Sequence, residues 1–197
     1  MIAQRGPAVE AARLVCVLLH GRGRDPDDVL ALAERMDVPD VCFLAPAAPG
    51  NTWYPLSFLA PVEENEPALS DALATVASLA VAIEPARLVL GGFSQGACLA
   101  AEYALRHPAR YAGLLLFTGG FIGPRGTAAP EHGAFDGTPA YLGTSDPDDW
   151  VPVWRVHETA DALAAQGAAV TLEVFRGLDH RVDDQEIAAG RALLLGG

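Results

Sequence analysis

Residues 92–96 read Gly-Phe-Ser-Gln-Gly, with a glycine two positions to either side of Ser94. A hydroxyl is a weak nucleophile until a neighbouring base takes its proton, and it must also be exposed. A sharp strand-to-helix turn gives that exposure and tolerates little bulk at positions 92 and 96. The run before it, 87–92 (RLVLGG), is apolar, and a helical segment follows over 95–107, stopped by Pro108. The pentapeptide therefore stands where a nucleophile elbow is expected. A glycine-rich β–α turn with a helix-capping serine is the alternative.

A serine nucleophile needs an imidazole, and five histidines compete. His107 precedes Pro108 at a helix C-terminus, where a structural capping role is expected. His157 falls inside a helix and His132 inside a loop, with no partner pattern around either. His20 ends the first apolar run and reads as a wall residue. His180, in Gly177-Leu178-Asp179-His180, follows the last strand. The order Ser…Asp…His is that of hydrolases with a nucleophile elbow, and His180 is the expected base.

An acid must hold the imidazole in its working tautomer. Asp146, Asp148 and Asp149 crowd the loop after the strand at 139–143, and spacing does not choose among them. A calcium loop counted from Asp146 fails, because positions 6 and 12 are Val151 and His157 rather than Gly and Glu. The oxyanion of a tetrahedral intermediate needs two preorganised N–H donors. One is expected from Gln95, directly after the nucleophile. The other is expected from Arg22 in His20-Gly21-Arg22-Gly23, where flanking glycines permit close approach.

Short apolar runs at 13–19, 41–45, 87–92, 112–117, 139–143 and 169–175 read as strands. Helical segments alternate with them at about 25–37, 65–84, 95–107, 152–166 and 184–195. Such alternation predicts one α/β domain over 1–197, a mostly parallel sheet with helices on both faces. Ligands then sit beyond the carboxyl ends of the strands, in loops beginning at His20, Ala45, Phe93, Thr118, Thr144 and Arg176. Two irregular stretches, 46–65 and 119–137, are rich in Gly and Pro.

The chain has 197 residues, 13 basic and 25 acidic, for a net charge of −12, and its basic residues are all arginine. That balance argues against nucleic acid and against anionic membranes as partners. No apolar run is long enough for stable membrane insertion, and the first 13 residues lack the core of a signal peptide. Cys16, Cys42 and Cys98 are scattered within apolar runs and show no metal or redox spacing. The expectation is a cytoplasmic protein with buried thiols, no cofactor and no metal, and the apolar content leaves a homodimer open.

Four motifs together resemble the phospholipase/carboxylesterase family, in its acyl-protein thioesterase-like branch of the α/β-hydrolase superfamily. They are LLHGRG at 18–23, GGFSQGA at 91–97, Asp-x-x-Val-Pro at 148–152 and GLDH at 177–180. The segment APAAPGNTWYPLSF at 45–58 resembles a bacterial subgroup. The resemblance spans nearly the whole chain and implies an α/β-hydrolase fold. It also implies Asp148 as the triad acid, four residues before Pro152. Two extra residues separate Gly143 from Asp148 relative to the family's common pattern. The resemblance also agrees with Arg22 as an oxyanion donor.

A metal-free serine hydrolase is thus expected, using Ser94, His180 and Asp148 on small-molecule esters or thioesters, with an acyl-enzyme intermediate. Trp53, Tyr54, Phe58 and Leu59, with Phe121 and Ile122 opposite, are expected to wall an acyl slot. A chain of this length leaves no room for a lid domain, which favours small or single-chain substrates. Lysophospholipase or acyl-protein thioesterase activity, a peptidase on the same fold, and a non-catalytic hydrolase-fold binding module are the alternatives. A histidine base also implies activity that rises with pH as the imidazole loses its proton.

Overall fold

The computed structural model describes residues 1–130 and 133–196; His132 lies outside the described residues. Seven strands form one sheet: β1 (Ile2–Arg5), β2 (Leu14–Leu19), β3 (Val41–Pro46), β4 (Leu88–Phe93), β5 (Gly113–Phe117), β6 (Pro139–Asp146) and β7 (Ala169–Arg176). Their order across the sheet is β1-β3-β2-β4-β5-β6-β7. All neighbours pair in parallel except β1, which runs antiparallel along β3 with Ile2 opposite Pro46.

The central strands are buried almost end to end, as expected when both faces of a parallel sheet are covered. Helices α1 (Pro26–Met36) and α5 (Asp184–Leu195) cover one face. Helices α2 (Ala68–Ala80), α3 (Gln95–Arg106) and α4 (Val153–Ala165) cover the other. This is the architecture of the α/β hydrolases, and no separate lid stands over the strand ends among the described residues. No helix is long and apolar enough to cross a membrane.

Local chemistry accounts for the helix ends. Asp25 accepts from the Asp27 N–H, Pro26 occupies the first helical position, and α1 closes on Asp37 in the left-handed region. Asp183 and Glu186 form a reciprocal capping box on α5, which ends at Gly196. Helix α3 is buried from Gln95 to Leu105, so the element that carries the elbow is also the centre of the core.

Three elements differ from the sequence reading. Strand β1 is an added edge strand; IAQR is too short and polar to stand out as an apolar run. Helix α2 starts at Ala68, because Val62–Asn65 forms a 3-10 turn that buries the Asn65 side chain. Strand β6 continues to Asp146, paired with Arg176 on β7. Asp146 therefore ends a strand and faces water, and the loop begins after it rather than at Thr144. Cys16, Cys42 and Cys98 are unpaired and buried; burial raises all three thiols, Cys98 to about 12.

Candidate active site

Strand β4 delivers Ser94 into a backbone conformation of φ 55°, ψ −119°. Such a conformation costs a non-glycine residue on the order of 1–3 kcal/mol, and the surrounding glycines make it attainable. A Cβ on Gly92 would lie 2.6 Å from the Leu19 carbonyl oxygen and 2.7 Å from the Gly96 carbonyl carbon. A Cβ on Gly96 would lie inside contact distance of the Leu19 and His20 carbonyls. The turn is bolted down by the Ser94 N–H, which donates to the Phe117 carbonyl at 3.0 Å.

The loop after β7 brings His180 over this turn. His180 Nε2 and Ser94 Oγ are 2.8 Å apart, and His180 Nδ1 and Asp148 Oδ2 are 2.7 Å apart. The Asp148 side chain is fully buried and accepts three further hydrogen bonds. Its Oδ1 takes the N–H groups of Trp150 (2.8 Å) and Val151 (2.7 Å), and Ser145 Oγ donates to Oδ2 at 3.1 Å. Burial works to raise its pKa, but the donors from Val151, His180 and Trp150 outweigh it and hold the carboxyl below the usual carboxylate range. The imidazole leans on the Phe93 ring, centroid to centroid 5.0 Å. Asp146 and Asp149 stay exposed and join none of this.

Two of the other described histidines, His20 and His107, hold structure. His20 is fully buried; its Nε2 accepts from the Ala48 N–H and its carbonyl accepts from Trp53 Nε1. His107 stacks on Tyr103 and pairs through Nδ1 with the Tyr103 carbonyl at the end of α3. His157 is exposed on α4. No group of three His, Cys, Asp or Glu among the described residues is placed to hold a metal.

Gln95 opens α3, where a backbone N–H has no helical acceptor. Across the turn after β2, the N–H groups of Gly23 and Arg24 go to Asn51 and Gly21, and that of Arg22 makes no backbone bond among the described residues. Both residues also spend their side chains on one loop. Gln95 accepts from the Trp53 N–H (3.1 Å) and donates to the Tyr54 carbonyl (2.8 Å). Arg22 donates to the carbonyls of Pro55 and Leu56. Asn65, buried beneath, accepts from the Leu56 N–H and donates to the Ser57 carbonyl. Neither the Gln95 clamp nor that of Asn65 had been expected; in the sequence each is one amide among many polar residues.

A groove of about 660 Å³ runs past Ser94 and His180. Of the six expected wall residues only Tyr54 and Phe58 line it, joined by Leu56, Cys98, Trp150 and Val151. The other four are turned to packing. Trp53 hydrogen-bonds His20 and faces a separate hollow with Pro49 and Thr52. Leu59 packs, half-buried, on the core. Phe121 lies under the fully buried Arg155 guanidinium, 4.1 Å from its ring, with its N–H on Thr159 Oγ1. The Ile122 N–H is held by Glu102. Apolar residues in a long loop are drawn to the nearest core face, and for these four that face is not the groove.

The arrangement has parts that acyl transfer needs: a hydroxyl on an imidazole and a buried carboxylate behind it. A model of the phospholipase/carboxylesterase family matches residues 6–193. A phospholipase/carboxylesterase from Dyadobacter fermentans is 38% identical over 98% of this chain and 95% of its own, with a TM-score of 0.94. The esterase PE8 is 29% identical over 98% and 97%, with a TM-score of 0.77. Zea mays acyl-protein thioesterase 2, at 21% identity over 100% and 98%, shares the fold with a TM-score of 0.75. No curated protein sequence matches the chain significantly. With the family model covering all but the chain ends, the chain belongs to the phospholipase/carboxylesterase family and is a carboxylic ester hydrolase.

Proposed function

We propose that residues 1–197 are a single hydrolase domain that cleaves small or single-acyl-chain esters and thioesters through an acyl-enzyme on Ser94. The observation that carries this reading is the unbroken chain Ser94 Oγ, His180 Nε2, His180 Nδ1, Asp148 Oδ2, with links of 2.8 and 2.7 Å.

Asp148 accepts from Nδ1–H, which leaves Nε2 bare and aimed at the serine. As Ser94 Oγ attacks the carbonyl carbon, its proton passes to Nε2. The buried carboxylate stabilises the imidazolium that forms. The carbonyl oxygen becomes an oxyanion held by the Arg22 and Gln95 N–H groups. His180 then gives its proton to the departing alcohol or thiol, leaving the acyl ester on Ser94. Water, activated by the same imidazole, attacks that ester and frees the acid.

The groove volume suits one drug-sized or single-chain substrate, and three unpaired, buried cysteines suit a reducing, cytoplasmic setting.

A fluorophosphonate probe tests the reading directly. Wild type should label, Ser94→Ala should not, and wild type should hydrolyse p-nitrophenyl acetate and butyrate. A protein that neither labels nor hydrolyses these esters is a binding module on a hydrolase fold. A rate series over acyl-chain length on oxygen and sulfur esters then sets the substrate range.

A further inference from the structure

Trp150 leaves 71% of its surface to water. That exposure does not come from a loose loop. Its N–H is tied to Asp148 Oδ1 at 2.8 Å, and its neighbour Val151, tied to the same oxygen at 2.7 Å, is buried. Among the described residues no aromatic ring stacks on the indole and no guanidinium covers it. A large apolar plane is thus held out to solvent by the turn that builds the triad acid. The indole also lines the groove that holds Ser94 and His180, where a bound substrate would cover it.

The side of Ser94 on which it stands identifies the ligand part. Trp150 and His180 line the catalytic groove together, and they also share a second hollow with Asp149, Gly177 and Asp179 that Ser94 does not reach. Tyr54 and Pro55 also line the groove, but they border a different hollow, shared with Trp53, and not the one that Trp150 and His180 share. The imidazole must hand its proton to the departing atom, so the leaving group lies on the imidazole's side and the acyl chain on the other. Asp149 and Asp179 beside the indole disfavour an anion there.

We propose that Trp150 is the wall of a leaving-group subsite, and that this protein prefers esters and thioesters of uncharged aryl or extended apolar alcohols and thiols. This rests on the serine-hydrolase reading above. The contact is made in acylation and is gone once the alcohol departs.

The test compares Trp150→Ala with wild type on methyl, phenyl and 2-naphthyl acetate, and on p-nitrophenyl acetate, butyrate and hexanoate. The loss in kcat/KM should grow along the first series, reaching about tenfold more on the naphthyl than on the methyl ester, the usual worth of one good apolar contact. Along the second series, where the leaving group is constant, the factor should stay the same, and the rate of acyl-enzyme breakdown should not move. Equal losses on all three acetates would make Trp150 a cover over Asp148 and overturn the proposal. A factor that changes with acyl length would place the indole on the acyl side and overturn it too. Fluorophosphonate labelling, whose leaving group is only fluoride, reports that the variant is folded. Should Trp150→Ala fail to label, Trp150→Gln is read in the same way. Wild type that neither labels nor turns over any ester would sink the hydrolase reading itself.

Discussion

The Leu19 carbonyl occupies the space that a side chain on residue 96 would need. Strand β2 and the first turn of α3 therefore meet backbone to backbone, and this contact brings the turn after β2 beside the elbow. Gly96→Ala has no flexible group to push aside, so it should cost about 3 kcal/mol or more and lower the melting temperature by roughly 10 °C. Gly23→Ala is the control. Its Cβ would meet nothing within 4 Å, so only the strain of φ +70° remains, about 1 kcal/mol. Thermal melts of the two variants check the contrast.

Asp148→Asn should lower kcat by about 10⁴-fold, the usual cost of replacing a triad acid with its amide. Asp146→Asn and Asp149→Asn should stay within severalfold of wild type, since both carboxylates are exposed and make no contact with His180. Steady-state kinetics on p-nitrophenyl butyrate decides it. A crippled Asp146→Asn would mean that the acid sits two residues earlier.

Gln95→Ala keeps the backbone N–H at that position but strips the Trp53 N–H and the Tyr54 carbonyl of their partners in a buried setting. Each unmet group costs about 1–3 kcal/mol. The variant should melt several degrees lower and bind esters more weakly, with KM rising more than kcat falls. A variant with wild-type melting and KM would show that the clamp is idle.

Glu186 supplies a pH signature of stability. Burial, reinforced by Asp183 and Glu173, raises its carboxyl to about 7 against the opposing Asp183 N–H and Arg35. Its Oε1 has no hydrogen-bond partner and rests on Gly143. The unfolded carboxyl titrates at about 4.3, so between that value and about 7 the folded state holds more protons. Stability must then fall as pH rises through this window, with the whole cost present above it. Glu186→Gln removes the charge and should be more stable than wild type at pH 8 by a few kcal/mol, and so melt higher, with the gap closing towards pH 5. A constant gap across pH would dismiss the ionisation as its cause.

Much of this was legible in the sequence because short-range rules govern it. Ser94 is marked by two glycines that the turn requires, and the strands by apolar runs that a doubly covered sheet requires. His180 is the histidine that follows the last apolar run, in the chain order Ser…Asp…His. The lining of the groove was not legible in the same way. Trp53, Leu59, Phe121 and Ile122 differ from Tyr54 and Phe58 only in which core face their loop reaches, and that depends on contacts with His20, Thr159, Glu102 and Arg155 far along the chain. Strand β1 exists because β3 offers an open edge, a fact of the sheet rather than of IAQR.

Gln95 grips residues 53 and 54 and Arg22 grips residues 55 and 56, so that between them they hold one four-residue segment. Any redesign that lengthens or shortens that segment would pull on both grips at once and disturb turnover along with selectivity. Attempts to retune chain length should therefore leave its backbone alone and resize the side chain of Phe58, which lines the groove without anchoring the turn. On this scaffold, selectivity and rate are separable at single side chains and inseparable at the loop.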